Sequence, residues 1–295
     1  MENNNFQKIE DEIDFKQLFL ILWNKKLLIS GITTFAAIIS VLYALSLPNV
    51  YTSTALLAPA NSDESLGSKL GGFSSLAGMA GLSLPSGSGS KTTEAIARIK
   101  SYDFFVNEFL PNIKFENLVA SKNWIESTDT IIYDENMLGN NLLNISKQEA
   151  FIVYKGILNL QDNRETSFVD INIEHVSPYI AEKWLKLIIK KINNHMREID
   201  KTVAENSIDF LKISAQETNL TQIKEAISKL IKDQIQVLTL AEVSKDYVFK
   251  QIMSPIAPEK KSRPSRSLIC IMGTMVGFFL GIALSFTLHF FNFRR

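Results

Sequence analysis

The chain has 295 residues, with 31 Lys and Arg against 31 Asp and Glu, and 46% of its residues are hydrophobic. A formal net charge of zero leaves no basic field for a nucleic-acid backbone, so no nucleic-acid partner is expected. One cysteine excludes an internal disulfide and a cysteine-built zinc site, and the three histidines form no HxH or HxxxH pair.

Residues 1–26 read as a short, acidic-leaning tail ending in Lys25 and Lys26. Leu27 to Leu47 then runs 21 residues without a charge, and Ser267 to Phe293 runs 27. A helix needs about 20 apolar residues to cross roughly 30 Å of hydrocarbon, so both read as membrane spans. Buried core helices seldom run so long without a polar face. The first block starts too far in, and is too long, for a cleavable signal peptide. Two spans put both ends on one side of the membrane. Lys25, Lys26, Arg294 and Arg295 place that side in the cytoplasm by the positive-inside rule. Lys260, Lys261, Arg263 and Arg266 pull the other way, but the 219 residues between the spans are long enough to escape the rule. Within the spans, Ala36, Ser40 and Ala44, and Gly273, Gly277 and Gly281, recur every fourth residue. Such stripes let helix backbones approach closely where lipid supplies no hydrophobic drive.

After the first span, Val50 to Ala60 alternates and reads as a strand. Residues 61–90 hold seven of the 13 glycines. This stretch is either a floppy linker or an apolar loop covered by the membrane or a neighbouring subunit. From Thr92 or Thr93 a helix is expected up to Pro111, and Ser146 with Glu149 forms a capping box for another. Phe168 to Glu174 alternates cleanly, with Val169, Ile171 and Ile173 on one face, as in a half-buried strand.

Ser177-Pro178 is a helix start, and no glycine or proline follows until Pro255. The apolar steps of three and four from Trp184 to Leu238 predict one long helix over 179–245. A helix of roughly 60 residues would be about 90 Å long and would need another long helix to cover its stripe, most simply from a second copy. The alternative is a hairpin broken near Gln216 to Asn219, where the stripe lapses. Asp246 to Ile252 reads as a returning strand. Pro255, Pro258 and Pro264 then form a stiff connector into the second span. The strands at the two ends of the segment imply a mixed α/β base close to the bilayer.

No phosphate-binding loop, nucleophile elbow or HExxH is present. His175 reads as a structural polar contact. Asp134, Glu135 and Glu149 could only be imagined as a carboxylate pair for sugar chemistry. No enzyme, cofactor or metal is expected.

IDFKQLFLILWNKK, VYTSTALLAP, LGGFSSLAGMAGL, TEAIARIKSYDFF, the stretch DINIEHVSPYIAEKWLKLIIKKINNHMR and above all IMSPIAPEKKSRPSRSLICIMGTMVGFFLGI resemble the Wzz-type chain-length determinants, or class 1 polysaccharide co-polymerases. The resemblance implies an α+β membrane protein of the bacterial inner membrane. Transmembrane helices at 27–47 and 267–293 would flank a periplasmic base at 48–178, a long periplasmic helix at 179–245 and a strand with proline connector at 246–266. Residues 1–26 and 294–295 would be cytoplasmic. It further implies a ring-shaped homo-oligomer, a Wzy-type polymerase as partner, possible contact with the lipid-linked glycan, and regulation of the length of a polysaccharide such as O antigen without covalent chemistry. It transfers no active site, only the connector prolines and the span glycines named above. No Walker motif follows the second span, so the kinase-fused members are not the expectation. The runner-up is a membrane-anchored periplasmic sensor or adaptor.

Overall fold

The structure, a computed structural model, describes residues 22–60, 88–163 and 165–293. The N-terminal tail up to residue 21, the glycine-rich stretch 61–87, and Arg294 and Arg295 lie outside the described residues. The chain divides into two compact units, Met1–Pro48 with Arg263–Arg295, and Asn49–Ser262.

In chain order the elements are α1 (Lys26–Ser46), β1 (Tyr51–Pro59), α2 (Ser88–Ile99), α3 (Tyr102–Phe104), α4 (Phe115–Val119), β2 (Ser121–Ile125), β3 (Thr130–Tyr133), α5 (Asn140–Asn144), α6 (Lys147–Ile157), β4 (Leu158–Asp162), β5 (Val169–His175), α7 (Pro178–Glu217), α8 (Thr221–Val243), β6 (Phe249–Met253) and α9 (Arg266–Phe293). The first unit is the antiparallel-in-register pair α1 and α9. Both are long and apolar enough to cross a membrane. Their outward faces carry large exposed apolar side chains, such as Phe35, Leu42, Phe279 and Leu280.

The second unit is built on a four-stranded antiparallel sheet, ordered β4-β5-β1-β6. The alternation of β5 does what its sequence requires: Val169, Ile171 and Ile173 are fully buried, and the residues between them are only partly so. Tyr51 pairs with His175 and Leu57 with Val169 across the β1–β5 ladder, which fixes the register. The first half of α7 belongs to the same core through Ala181, Trp184, Leu185, Ile188 and Ile192. A cluster of rings, Phe105, Phe109, Phe151, Tyr154 and Trp184, fills the rest, with centroid separations of 4.9–6.2 Å.

The helix expected from Thr92 to Pro111 is interrupted. α2 already begins at Ser88 and ends at Ile99. Ser101 then adopts extended backbone, and its Oγ accepts from the Phe104 N–H at 3.2 Å, starting a new helix. A wide π turn over Phe105–Phe109 follows. Phe104, Phe105 and Phe109 all lie in the core along this interrupted stretch.

The single long helix over 179–245 is also corrected. α7 is 40 residues long, about 60 Å, and stops at Glu217; Thr218 is extended. The Thr218 Oγ accepts from Leu220 N–H, and Leu220 C=O takes the first N–H groups of α8. α8 runs back along α7. Lys201 Nζ meets Glu242 Oε1 at 2.7 Å, and Arg197 donates to the Ser244 and Lys245 carbonyls at 2.7 and 2.9 Å. That places a cation on the orphan carbonyls at the end of α8. The hairpin at Gln216 to Asn219 is therefore the arrangement adopted. The lower apolar stripe has an intrachain partner, through buried Ala204, Ile208, Ile227 and Ala241.

Candidate functional site

The two small-residue stripes meet. A Cβ placed on Gly273 would overlap the Ser40 side chain, and one placed on Gly277 would overlap the Ala36 methyl. A Cβ on Gly281 would lie 3.2 Å from the Ile29 Cα, so Ile29 is the partner of the third glycine. Ser40 and Ala44 are buried. The hydroxyls inside the spans bond back to their own helices, Thr33 Oγ1 to Ile29 C=O at 2.8 Å and Ser40 Oγ to Ala37 C=O at 2.9 Å. Such back-bonding satisfies a polar group where no water is present. Ile29 escaped sequence reasoning because a β-branched residue does not belong to a small-residue stripe.

The connector prolines lie beyond β6. Pro255 is buried and Pro258 partly so. Where β6 stops pairing, side chains continue the contact with the start of β1. Ser53 Oγ donates to the Ile256 carbonyl at 2.8 Å, Ser262 N–H donates to the Val50 carbonyl at 2.8 Å, and Thr52 N–H donates to Ser262 Oγ at 3.1 Å. A proline-punctuated segment offers few N–H donors, so hydroxyls do this work. Neither serine carries a sequence signal for it. Pro264 falls in the other unit.

Buried polar side chains fix the base. His175 Nδ1 accepts from Ser177 N–H at 2.9 Å, and Nε2 lies 3.0 Å from the Asn117 carbonyl. The first bond requires a bare Nδ1, so Nε2 carries the proton and donates. Burial lowers the His175 pKa from its ordinary value, against smaller raising effects from its two backbone bonds. The ring also packs edge-on to Trp184 at 4.8 Å. Both nitrogens are thus committed, as a structural contact requires. The imidazole takes the N–H of Ser177 itself, the residue before α7, and the Ser177 side chain makes no cap bond there. Asn193, on α7, accepts from the Val248 and Phe249 N–H groups and donates to the Phe249 carbonyl, all at 2.9 Å. Asp200 Oδ2 receives Lys91 Nζ at 2.5 Å and the Tyr247 hydroxyl at 2.6 Å. Burial, and then that carboxylate, push the Tyr247 phenol well above its usual range.

The carboxylates considered for catalysis have other employment. Asp134 Oδ1 accepts from Asn136 N–H at 3.1 Å at the start of a 3-10 turn. Ser146 and Glu149 form the expected capping box on α6, with bonds of 2.8 and 3.1 Å. Glu135 is exposed in the turn that Asp134 caps. Among the described residues no group of three His, Cys, Asp or Glu side chains could hold a metal ion.

The helical hairpin leaves apolar residues uncovered. Val203, Phe210, Ile213, Leu220, Leu230 and Ile235 are each at least half exposed. Apolar side chains spread along both helices of one hairpin are what a further subunit would cover.

Residues 11–105 match the family model Wzz, chain length determinant protein. The described residues of this stretch carry α1, β1, α2 and α3. No curated protein matches the chain. Among solved structures, a full-length bacterial polysaccharide co-polymerase is 14% identical with a TM-score of 0.46, and the alignment covers 95% of this chain and 98% of that one. A fragment of WzzB, the polysaccharide co-polymerase from Salmonella Typhimurium, is 15% identical with a TM-score of 0.36, covering 73% of this chain and 100% of that one. The first third of the chain, with the first apolar helix and the strand that follows it, is thus similar to the chain length determinant family.

Proposed function

We propose that the protein regulates polysaccharide chain length as an oligomeric scaffold of the bacterial inner membrane. It acts beside a Wzy-type polymerase that extends a lipid-linked glycan such as O antigen. The observation that carries this reading is the match of residues 11–105 to the chain length determinant family. The spans and their glycine seam anchor each subunit. Asn49–Ser262 lies in the periplasm and both termini in the cytoplasm, a reading supported by Lys25 and Lys26 beside the first span.

The uncovered apolar residues of the α7–α8 hairpin support a ring of copies. What stays exposed after α8 has covered its share of α7 is the surface that neighbouring copies bury. The scaffold itself does no covalent chemistry; the capping roles of Asp134 and Glu149 fit that. Length is then set by how long the growing glycan and its polymerase remain associated with the ring.

Deleting the gene is expected to replace a modal band of polysaccharide with an unregulated ladder on a gel, and a plasmid copy restores the mode. An unaltered ladder after deletion rejects the reading. Protease added to spheroplasts is expected to cut within residues 49–262, and protection of that region rejects the orientation.

A further inference from the structure

We infer that the base carries an oligosaccharide-binding groove between α4, the β2–β3 hairpin and the first turns of α7; the inference deepens the chain-length reading and rests on it. The groove encloses about 640 Å³. Lys114 and Lys183 line it, and among the described residues neither has an ion-pair partner. Asp129 and Thr130 stand at the turn of the hairpin, with Tyr133 further along β3 and Trp184 beside them on α7. Asp129 has left-handed backbone, at φ 47°. Its Oδ1 accepts from the Trp124 indole N–H at 2.8 Å, which leaves Oδ2 for another donor.

The chemistry selects the ligand. A sugar hydroxyl both donates and accepts, so it needs donors and acceptors side by side. Ammonium groups only donate and a carboxylate only accepts; the Thr130 and Tyr133 hydroxyls, whose protons go to the Thr128 carbonyl and Asn117 Oδ1, keep their acceptor sites. A site built for phosphate would carry donors without a facing carboxylate. A sugar ring also has an apolar face, which wants a flat apolar surface. The Tyr133 and Trp184 rings are the aromatic part of the groove's lining. Trp124 lies outside the lining and acts on Asp129 through its indole N–H. A mixed polar rim over aromatic side chains is the make-up of a small-ligand cleft. The base would then hold a stretch of the growing glycan directly, giving the scaffold a grip on the chain that it measures.

The test uses the full chain in lipid nanodiscs, so that no sugar-headed detergent competes. The probe is O-polysaccharide released by mild acid from the source bacterium and sized to a few repeats. Titration is followed by tryptophan fluorescence and by saturation-transfer NMR. Binding by the unaltered protein is expected. Asp129→Asn is expected to bind about tenfold more weakly, the loss of roughly one charge-assisted hydrogen bond, and the Lys114→Ala/Lys183→Ala double variant, which loses two cationic donors, at least tenfold more weakly. Lys190→Ala, exposed on α7 outside the groove, is expected to bind as the unaltered protein does. Asp129→Asn keeps the oxygen that meets Trp124, so it serves if the double variant fails to fold. Absence of binding, equal affinity in the variants, or displacement of the probe by a polymerase loop peptide overturns the assignment. If gene deletion shifts the banding while the protein ignores the oligosaccharide, the groove alone falls. If deletion leaves the banding unchanged, the chain-length reading falls first.

Discussion

Gly277 of α9 lies so close to Ala36 of α1 that a Cβ on the glycine would overlap the Ala36 methyl. The contact recurs at Gly273 with Ser40 and, less tightly, at Gly281 with Ile29. In lipid, neither helix gains by hiding apolar surface from the other, so close backbone packing has to hold the pair.

The tightness grades the expected cost of substitution. Gly277→Ala and Gly273→Ala overpack the seam and are expected to weaken the helix pair by ~1–3 kcal/mol. Gly281→Ala meets Ile29 at 3.2–3.4 Å and costs less. Gly31, with nothing within 4 Å of its would-be Cβ, is the control, and Gly31→Ala is neutral or slightly stabilising. Thermal unfolding in nanodiscs, or a cysteine cross-link between the two helices, measures the series. Equal behaviour of Gly31→Ala and Gly277→Ala would show that the seam does not hold the spans.

The His175 geometry predicts a pH dependence with a definite sign. Its folded pKa lies below the ordinary 6.5, so at pH just under 6.5 the unfolded chain binds a proton that the folded chain refuses. Stability is therefore retained above about pH 6.5 and falls as the solution is acidified below it, by up to ~1.4 kcal/mol per pH unit. His175→Asn retains an acceptor for Ser177 N–H and does not titrate. Its urea midpoint is expected to drop less between pH 7 and pH 5 than that of the unaltered protein. Parallel pH profiles for the two proteins would refute this.

The pattern of legible and illegible features follows the range of the forces. The spans, β5 and the Ser146–Glu149 box are written in spacings of two, three and four residues, so they show in the sequence. The interruption at Ser101 is local too, but three phenylalanines needed in one core decide it. The α7–α8 turn lacks any glycine or proline; only the lapse of the apolar stripe marked it, and an unbroken rod fitted the same residues. The β2–β3 hairpin is the least legible element. Its stretch SKNWI has no clean alternation, and its turn is made by Glu126–Thr128 and a left-handed Asp129 in place of glycine. The groove lined by that hairpin is formed by residues up to 73 positions apart, from Pro111 to Trp184, and no spacing rule reaches that far.

The uncovered hairpin residues yield a prediction about assembly. Phe210 is 69% exposed and Val203 57%, both on α7. Phe210→Ser with Val203→Ser should leave the monomer's melting within about 0.5 kcal/mol, as for ordinary surface changes. The same pair should lower the oligomer size read by native mass spectrometry from nanodiscs. An unchanged oligomer would place the subunit interface elsewhere.

Asn193 is the buried polar residue whose loss the fold should feel most. It is 4% exposed, in the middle of the α7 stripe, yet its amide copies a strand partner. The Oδ1 takes two consecutive backbone N–H groups and the Nδ2 serves the Phe249 carbonyl, which brings the first residue of β6 to α7. Leucine has nearly the same volume, so Asn193→Leu leaves no large cavity. It orphans three backbone groups in the core, each costing ~1–3 kcal/mol when no water replaces the bond. Part of that is recovered by relaxation, so a net loss of about 3–5 kcal/mol is expected. Asn193→Asp keeps the acceptor and loses the donor, and a carboxylate facing the Phe249 carbonyl must protonate or be repelled. It should therefore be milder at pH 5 than at pH 8, whereas Asn193→Leu shows no such dependence. Urea denaturation of both variants at the two pH values decides it. If Asn193→Leu unfolds with the unaltered midpoint, the amide is not what fixes the start of β6.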